Sequence, residues 1–451
     1  MEQSNRANSA TSVVVLALAS LVFATGPSYA QTEARDDRSA SKTKASDEQT
    51  ESRALRASPA APRPVPFSDR LTGDWNGERT GLADRGVTID FETTHYCYGL
   101  FSGTGEESEK FNYGGRADLY VNFDTAKLGL WKGGAIRTHT EYAFGGLRAN
   151  LGGAVLPMVL GVKLPNPGDR KHVDVTSIYL AQRISERVNL MIGKINPLDL
   201  LANDPFWGGA GHARFFSVGL GSPPNGLQTP VIMGTILSVH TQPIDWTMMV
   251  FDPSDRTRDY WPGDLFDRGV SFSLGGTHRR TIAGRTSSLT LTGIYTTADS
   301  VNLGEILLPP ELQTGPREDA YHVGLQFSHF LKEDPMTRGQ GWGFFLKMGG
   351  SDGRSNPFQS FISGGFGGSR LFGSRPRDSF GIGYFYVNFS DQLQNALNPL
   401  ARFNDEQGVE AFYNIHIKQW LQLSGDLYFV NPAPAANKNA LAGGLRLKFR
   451  L

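Results

Sequence analysis

Leu441 to Leu451 read LAGGLRLKFRL, with Leu445, Leu447, Phe449 and Leu451 on one side of an extended chain and Arg446, Lys448 and Arg450 on the other. Successive side chains of a strand point to opposite faces, so one face suits oil and the other water. The same alternation recurs upstream. Val87, Ile89 and Phe91 stand against Thr88, Asp90 and Glu92. Ala117, Leu119, Val121 and Phe123 stand against Asp118, Tyr120, Asn122 and Asp124, and Ile136, Thr138, Thr140 and Tyr142 against Arg137, His139 and Glu141. Further segments with an apolar face are Val188–Lys194, Ile244–Phe251, Val270–Gly275, Leu289–Tyr295, Tyr321–Phe330, Trp342–Met348, Phe380–Phe389 and Val409–Lys418, each set between Gly, Pro, Asn and Asp clusters. Helical periodicity is scarce after Val87. Before it, Leu71–Gly86 holds the pattern of one short helix, with Asp74 as N-cap and Gly86 as the stop.

A secreted sandwich, β-helix or propeller turns its outer face to water and fills it with Lys, Glu, Ser and Thr. Here the charges keep to one face while Leu, Val, Ile, Phe, Tyr and Trp take the other, and no repeat of fixed period disposes the chain toward a solenoid. The pattern predicts an all-β fold: a transmembrane antiparallel β-barrel over residues 87–451, preceded by a short helical segment in 67–86. At about 10 residues per membrane strand, roughly 16 to 18 strands fit, and a barrel of that size leaves an aqueous channel.

The N-terminal residues agree. Val13–Ala24 is an apolar run with Arg6 before it and Ser28-Tyr29-Ala30 ahead of Gln31, the pattern of a signal peptide over residues 1–30. That run is too short to span a bilayer, which takes about 20 apolar residues. A mature chain resident in a membrane must then do so as a barrel. Residues 31–66 read as a polar, Pro-rich leader: Gln31–Ala57 has too few apolar residues to fold, and Ser58–Pro66 is a stiff spacer.

Composition narrows the function. Lys+Arg and Asp+Glu are both 44, so no net charge marks a nucleic-acid partner. Cys97 is the only cysteine, which excludes an intramolecular disulfide and reads as a strand residue without a redox task. Gly349–Gly353 (GGSDG) matches a nucleophile-elbow spacing, but a loop and not a helix follows it, and no zinc or phosphate-loop pattern occurs. The chain is therefore read as no enzyme. Diffusive passage of a small polar solute needs no nucleophile, metal or cofactor, only a narrowed polar lumen that replaces part of the solute's hydration and still releases it.

Arg137, His139 and Glu141 form one inward set with that character, and Arg116, Asp118, Glu410, Asn414, His416 and Lys418 share its polarity. Each either touches the solute or belongs to an ion-pair ladder that stabilises the wall. Asn203–Phe216 (NDPFWGGAGHARFF) is a glycine-rich aromatic stretch without alternation. Folded inward, it would bring Trp207 as a stacking face and Arg214 as a hydroxyl donor to the constriction; folded outward, it would anchor the membrane interface. The alternative to a channel is a barrel with a closed lumen that serves as an enzyme or adhesion protein.

Leu71 onward reads LTGDWNGERTGLADRGVTID, which resembles the opening motif of the carbohydrate-selective porin family, the OprB-type outer-membrane porins of bacteria. Asp118–Gly133, Asp174–Asp199, Arg377–Leu393 and Val409–Pro432 resemble that family's blocks in the same order. The resemblance implies a sixteen-stranded barrel in the outer membrane that admits small sugars without a cofactor. Its partners would be those sugars and outer-membrane lipid, with a homo-trimer as one arrangement open to it. Lys194, Asn196 and Asp199 match the family block GKINPLD and are carried over as pore or rim positions. The chain departs from the common aromatic end of such barrels by closing on Leu451, with Phe449 two positions earlier on the same face.

Overall fold

A computed structural model describes residues 67–104, 110–163, 173–222, 224–260, 263–314 and 319–451. The signal peptide and leader expected over 1–30 and 31–66 lie outside the described residues.

Sixteen strands close into one antiparallel barrel: β1 Val87–Ser102, β2 Asn112–Asp124, β3 Gly134–Gly145, β4 Val173–Arg183, β5 Val188–Ile195, β6 Ile232–His240, β7 Ile244–Phe251, β8 Ser271–Ile282, β9 Arg285–Thr296, β10 Ala320–Glu333, β11 Gly341–Ser351, β12 Phe358–Ser369, β13 Ser379–Phe389, β14 Glu406–Lys418, β15 Leu421–Asn431 and β16 Ala440–Arg450. Each strand pairs with the next, and β1 pairs with β16 from Glu92↔Arg450 to Ser102↔Leu441. Closure leaves no unpaired edge, which is what a sheet in lipid requires. Both ends of the barrel chain, Val87 and Arg450, lie on one rim with the short turns, such as 241–243 and 283–284; the long connections 146–172 and 196–231 start from the other. In outer-membrane barrels the short turns face the periplasm.

On that rim the helix α1, Glu78–Asp84, packs against β1. It starts later than the sequence suggests because Trp75 and Asn76 have φ of 51° and 58°, which breaks the helical turn at the expected cap. Asp74 still caps from outside: its Oδ1 accepts the Thr80 amide at 2.8 Å. Arg79 ties the segment to the barrel's last residue, donating to the Leu451 carbonyl at 3.0 Å.

The outer face follows the alternation. Leu445 is 54% exposed and Leu291 56%, while their neighbours Arg446 and Thr292 point inward and are buried. Cys97 is exposed on the same outer face of β1. The inner face departs from the simple expectation of a polar lumen. Tyr96, Tyr98, Phe345, Phe385, Phe412 and Tyr428 point inward and are buried, packed with Leu147, Leu156 and Leu160 of the first long connection and with Phe206, Trp207, Phe215, Phe216 and Leu220 of the second. The barrel thus holds an apolar core of its own, made by two connections folded into it. A second cluster of inward residues, Met191, Ile195, Ile232, Ile236, Met249 and Phe251, narrows the β5–β7 side.

Glycines make room for this filling. A Cβ on Gly381 would lie 2.7 Å from the Phe215 ring, and one on Gly367 2.6 Å from the Phe206 carbonyl oxygen. Larger residues at these wall positions would push the second connection out of the lumen.

Candidate functional site

An open part of the lumen lies beside β2–β5, toward the rim that carries the short turns. It is a vestibule of about 500 Å³. Strand register arranges its wall in rows: Tyr120 faces His139, which faces Ser177, and one step nearer the rim Asn122 faces Arg137, which faces Tyr179. Lys132, Gln182 and Arg183 line the mouth, and Asp199, Ala202 and Asn203 close the inner end. Two phenol rings among amides and charged groups provide the polar donors and acceptors and the ring faces that a sugar uses.

Behind this wall sits a charged network. Arg116 meets Asp118 at 2.8 Å and Glu141 at 3.0 Å. His139 places Nε2 3.0 Å from Asp118 and Nδ1 2.9 Å from Asp199, and its ring stacks on Tyr120 with centroids 4.1 Å apart. Asp118, His139 and Glu141 could bring three ligand atoms within 4.8 Å of one another, but the Arg116 guanidinium already supplies the cation between the two carboxylates. Glu141 also accepts from Thr176 Oγ1 at 2.9 Å and from Asn196 Nδ2 at 3.0 Å. Asn196 in turn caps the helix α3, Pro197–Leu201, by accepting the Leu198 amide at 3.0 Å. (The intervening short helix α2 is Leu160–Lys163.) The network therefore fixes the point where the second connection leaves the wall and positions Asp199 at the inner end of the vestibule.

Across the lumen the same connection is held by its backbone. Glu410 accepts the Phe216 amide at 2.5 Å and the Ser217 amide at 3.1 Å. Arg446 donates to the carbonyls of Gly211 at 2.6 Å and Arg214 at 3.0 Å and lies over the Phe216 ring. Lys347 donates to the Leu220 carbonyl at 2.6 Å, with its ammonium 4.1 Å from the Trp207 ring centroid. Glu406 does the same for the first connection, accepting the amides of Val155 at 2.7 Å and Leu156 at 2.8 Å. The two connections bond to each other through Leu160 N and the Phe216 carbonyl at 2.6 Å. Buried backbone groups need partners. Here charged residues of β11, β14 and β16 supply them and so act as latches.

Within the second connection, burial drives the His212 imidazole well below its usual value, with Arg116 adding to the effect. Burial raises the Asp204 carboxyl, against the pull of the Phe206 and Trp207 amides, and lowers the Arg214 guanidinium. His212 Nδ1 lies 3.2 Å from the Tyr96 hydroxyl, and its Nε2 has no partner among the described residues.

Of the residues singled out from the sequence, Arg137 lines the vestibule. Asp118 and Glu141 point inward but are buried; Lys194 shares the register face of the outward Ile178 and Ile192 and is buried under the connection between β7 and β8, donating to the carbonyls of Thr257 at 3.0 Å and Asp259 at 2.9 Å. Asn203–Phe216 lies inside the barrel. Trp207 is buried beneath Lys347 instead of facing water, and Arg214 donates its Nε to the Asp204 carbonyl at 3.1 Å. Tyr120, Asn122, Tyr179 and Gln182 were not singled out as site residues. The inward parity of Tyr120, Asn122 and Tyr179 on β2 and β4 is visible in the sequence, whereas Gln182 has the opposite parity and reaches the mouth from the end of β4; nothing local shows that the open space runs along those strands.

A closed sixteen-stranded barrel with an apolar exterior, short turns on one rim and connections narrowing its lumen has the architecture of an outer-membrane β-barrel. Residues 257–451 match the family described as carbohydrate-selective porin, OprB family. The high-pH structure of Pseudomonas putida OprB is similar with a TM-score of 0.72 at 15% identity, covering 85% of this chain and 99% of that one. The low-pH structure of the same protein gives a TM-score of 0.53 at 14% identity, with the same coverage. These likenesses are of fold. No curated protein sequence matches the chain.

Proposed function

We propose that small sugars cross the outer membrane passively along the β2–β5 side of the lumen, and that the second long connection sets the width of the path. The observation that supports this is the vestibule, whose aromatic and polar lining opens at the rim and ends against Asp199 and Asn203 of that connection. Arg137 is the contact residue in this reading. Asp118, Glu141, Lys194, Trp207 and Arg214 act one step back, holding wall and connection in place. Purified protein in a planar bilayer should give stable conductance steps that dip when monosaccharide is added. Arg137→Ala should weaken that block about fivefold, the equivalent of roughly 1 kcal/mol for one hydrogen bond. A barrel that never conducts would instead support a closed lumen.

The partners of the outer wall follow from its chemistry. The exposed apolar side chains meet outer-membrane lipid. On β1–β3 and β16 the rings of His95, Tyr113, Phe144 and Phe449 crowd together, with His95 5.4 Å from Phe144 and 5.8 Å from Phe449. This denser aromatic face is where three barrels would associate. Native mass spectrometry of the detergent-solubilised protein should show trimers, and a purely monomeric spectrum would reject the assembly.

A further inference from the structure

Charge pairing singles out one residue of the lumen. The inward cations that the barrel shields from solvent are nearly all engaged: Arg116 by Asp118 and Glu141, Lys347 by a backbone carbonyl, Arg446 by the second connection, and Lys448 by Glu92 at 2.6 Å. Arg137 is the exception. It is half-buried in the vestibule wall, yet among the described residues its guanidinium makes no hydrogen bond and no ion pair. An unpaired planar fork of five donors inside a pocket fits a carboxylate or another flat anionic group better than it fits a neutral hydroxyl.

The surroundings point the same way. The acids that line the vestibule are already committed: Asp199 Oδ2 to His139 at 2.9 Å, and Asp124 Oδ1 to the amides of Ala126 at 2.9 Å and Lys127 at 3.0 Å. Lys132 and Arg183 add exposed cations at the mouth. The lining sets Lys132, Arg137 and Arg183 against Asp124 and Asp199, an excess of one positive charge although the chain is neutral overall, and low-dielectric walls focus such a field onto a solute entering the cleft. Asn122 and Tyr179 flank Arg137 directly in the strand register and can take the ring and hydroxyls of whatever the guanidinium holds.

We propose that the vestibule selects monosaccharides bearing an anionic group, with that group docked on Arg137 and the sugar ring laid between Asn122 and Tyr179. This rests on the reading of the vestibule as part of the sugar path.

The test is current block in planar bilayers by glucose, by glucuronate and by acetate, which carries the charge without the ring. Glucuronate should block at concentrations about tenfold below glucose, as expected when a neutral hydrogen bond is replaced by a charge-assisted pair, and acetate should block weakly. Arg137→Gln should remove the preference and shift the reversal potential in a salt gradient toward cations. Arg137→Lys, which keeps the charge but loses the fork, should retain the anion selectivity and lose most of the preference. Heat-modifiable migration in gels establishes that each variant has assembled. Equal block by glucose and glucuronate, or a preference that survives Arg137→Gln, would overturn the inference while leaving the porin intact. Absence of conductance in the unmodified protein would remove the porin reading beneath it.

Discussion

Replacing Glu410 by Ala should convert the channel to a state of larger and noisier conductance. The carboxyl of Glu410 accepts two amides of the inward connection, from Phe216 and Ser217. Losing it leaves both buried without an acceptor, at about 1–3 kcal/mol each. Even the lower total, about 2 kcal/mol, multiplies the population with the connection displaced by about 30. Arg446→Met, which takes one donor from the Gly211 carbonyl, leaving it to the Tyr96 hydroxyl, and the side-chain donor from the Arg214 carbonyl, should act in the same direction. Single-channel recording checks the conductance, and limited proteolysis between Asn203 and Ser217 checks the displacement independently. If conductance and protease resistance both stay as in the unmodified protein, these contacts do not hold the constriction.

Leu445→Arg and Leu291→Arg should each lower the yield of folded barrel in vesicles sharply. Both side chains project from the outer wall, and a cation on the lipid face near the midplane costs about 2–4 kcal/mol. Asn122→Ala, on the vestibule side of β2, should assemble normally. Asp118 and Arg446 are unsuited as neutral comparisons, although they also face inward, because each is buried in a bonded network whose remaining partners would be left unsatisfied. Equal yields for the outward and inward substitutions would mean that the outer wall does not meet lipid.

The opposite fates of Leu445 and Arg446 were legible in the sequence, because the side-chain period of a strand is a local property that eleven residues suffice to display. The same holds for the wall carrying Asp118, Arg137 and Glu141, and for a chain length that admits about 16 to 18 strands, of which the barrel forms sixteen. β12 was harder to see. Its inward positions Ser363, Gly365 and Gly367 are small, so the alternation is muted where the wall admits another backbone, as Gly367 does beside Phe206.

Asn203–Phe216 shows where local reading stops. Its aromatics and glycines are compatible with a loop on either side of the wall. What brings it inside is a set of partners far away in the chain, Glu410 at a separation of 194 residues and Arg446 at 235. The same packing decides that Trp207 is buried and that Arg137 is not. By itself the sequence determined the barrel, its two faces and the residues that point inward, since these follow from alternation and from the need to pair every backbone group in lipid. Only the tertiary structure decided which inward residues meet water, because that depends on how two long connections fill the lumen and on which side they leave it open.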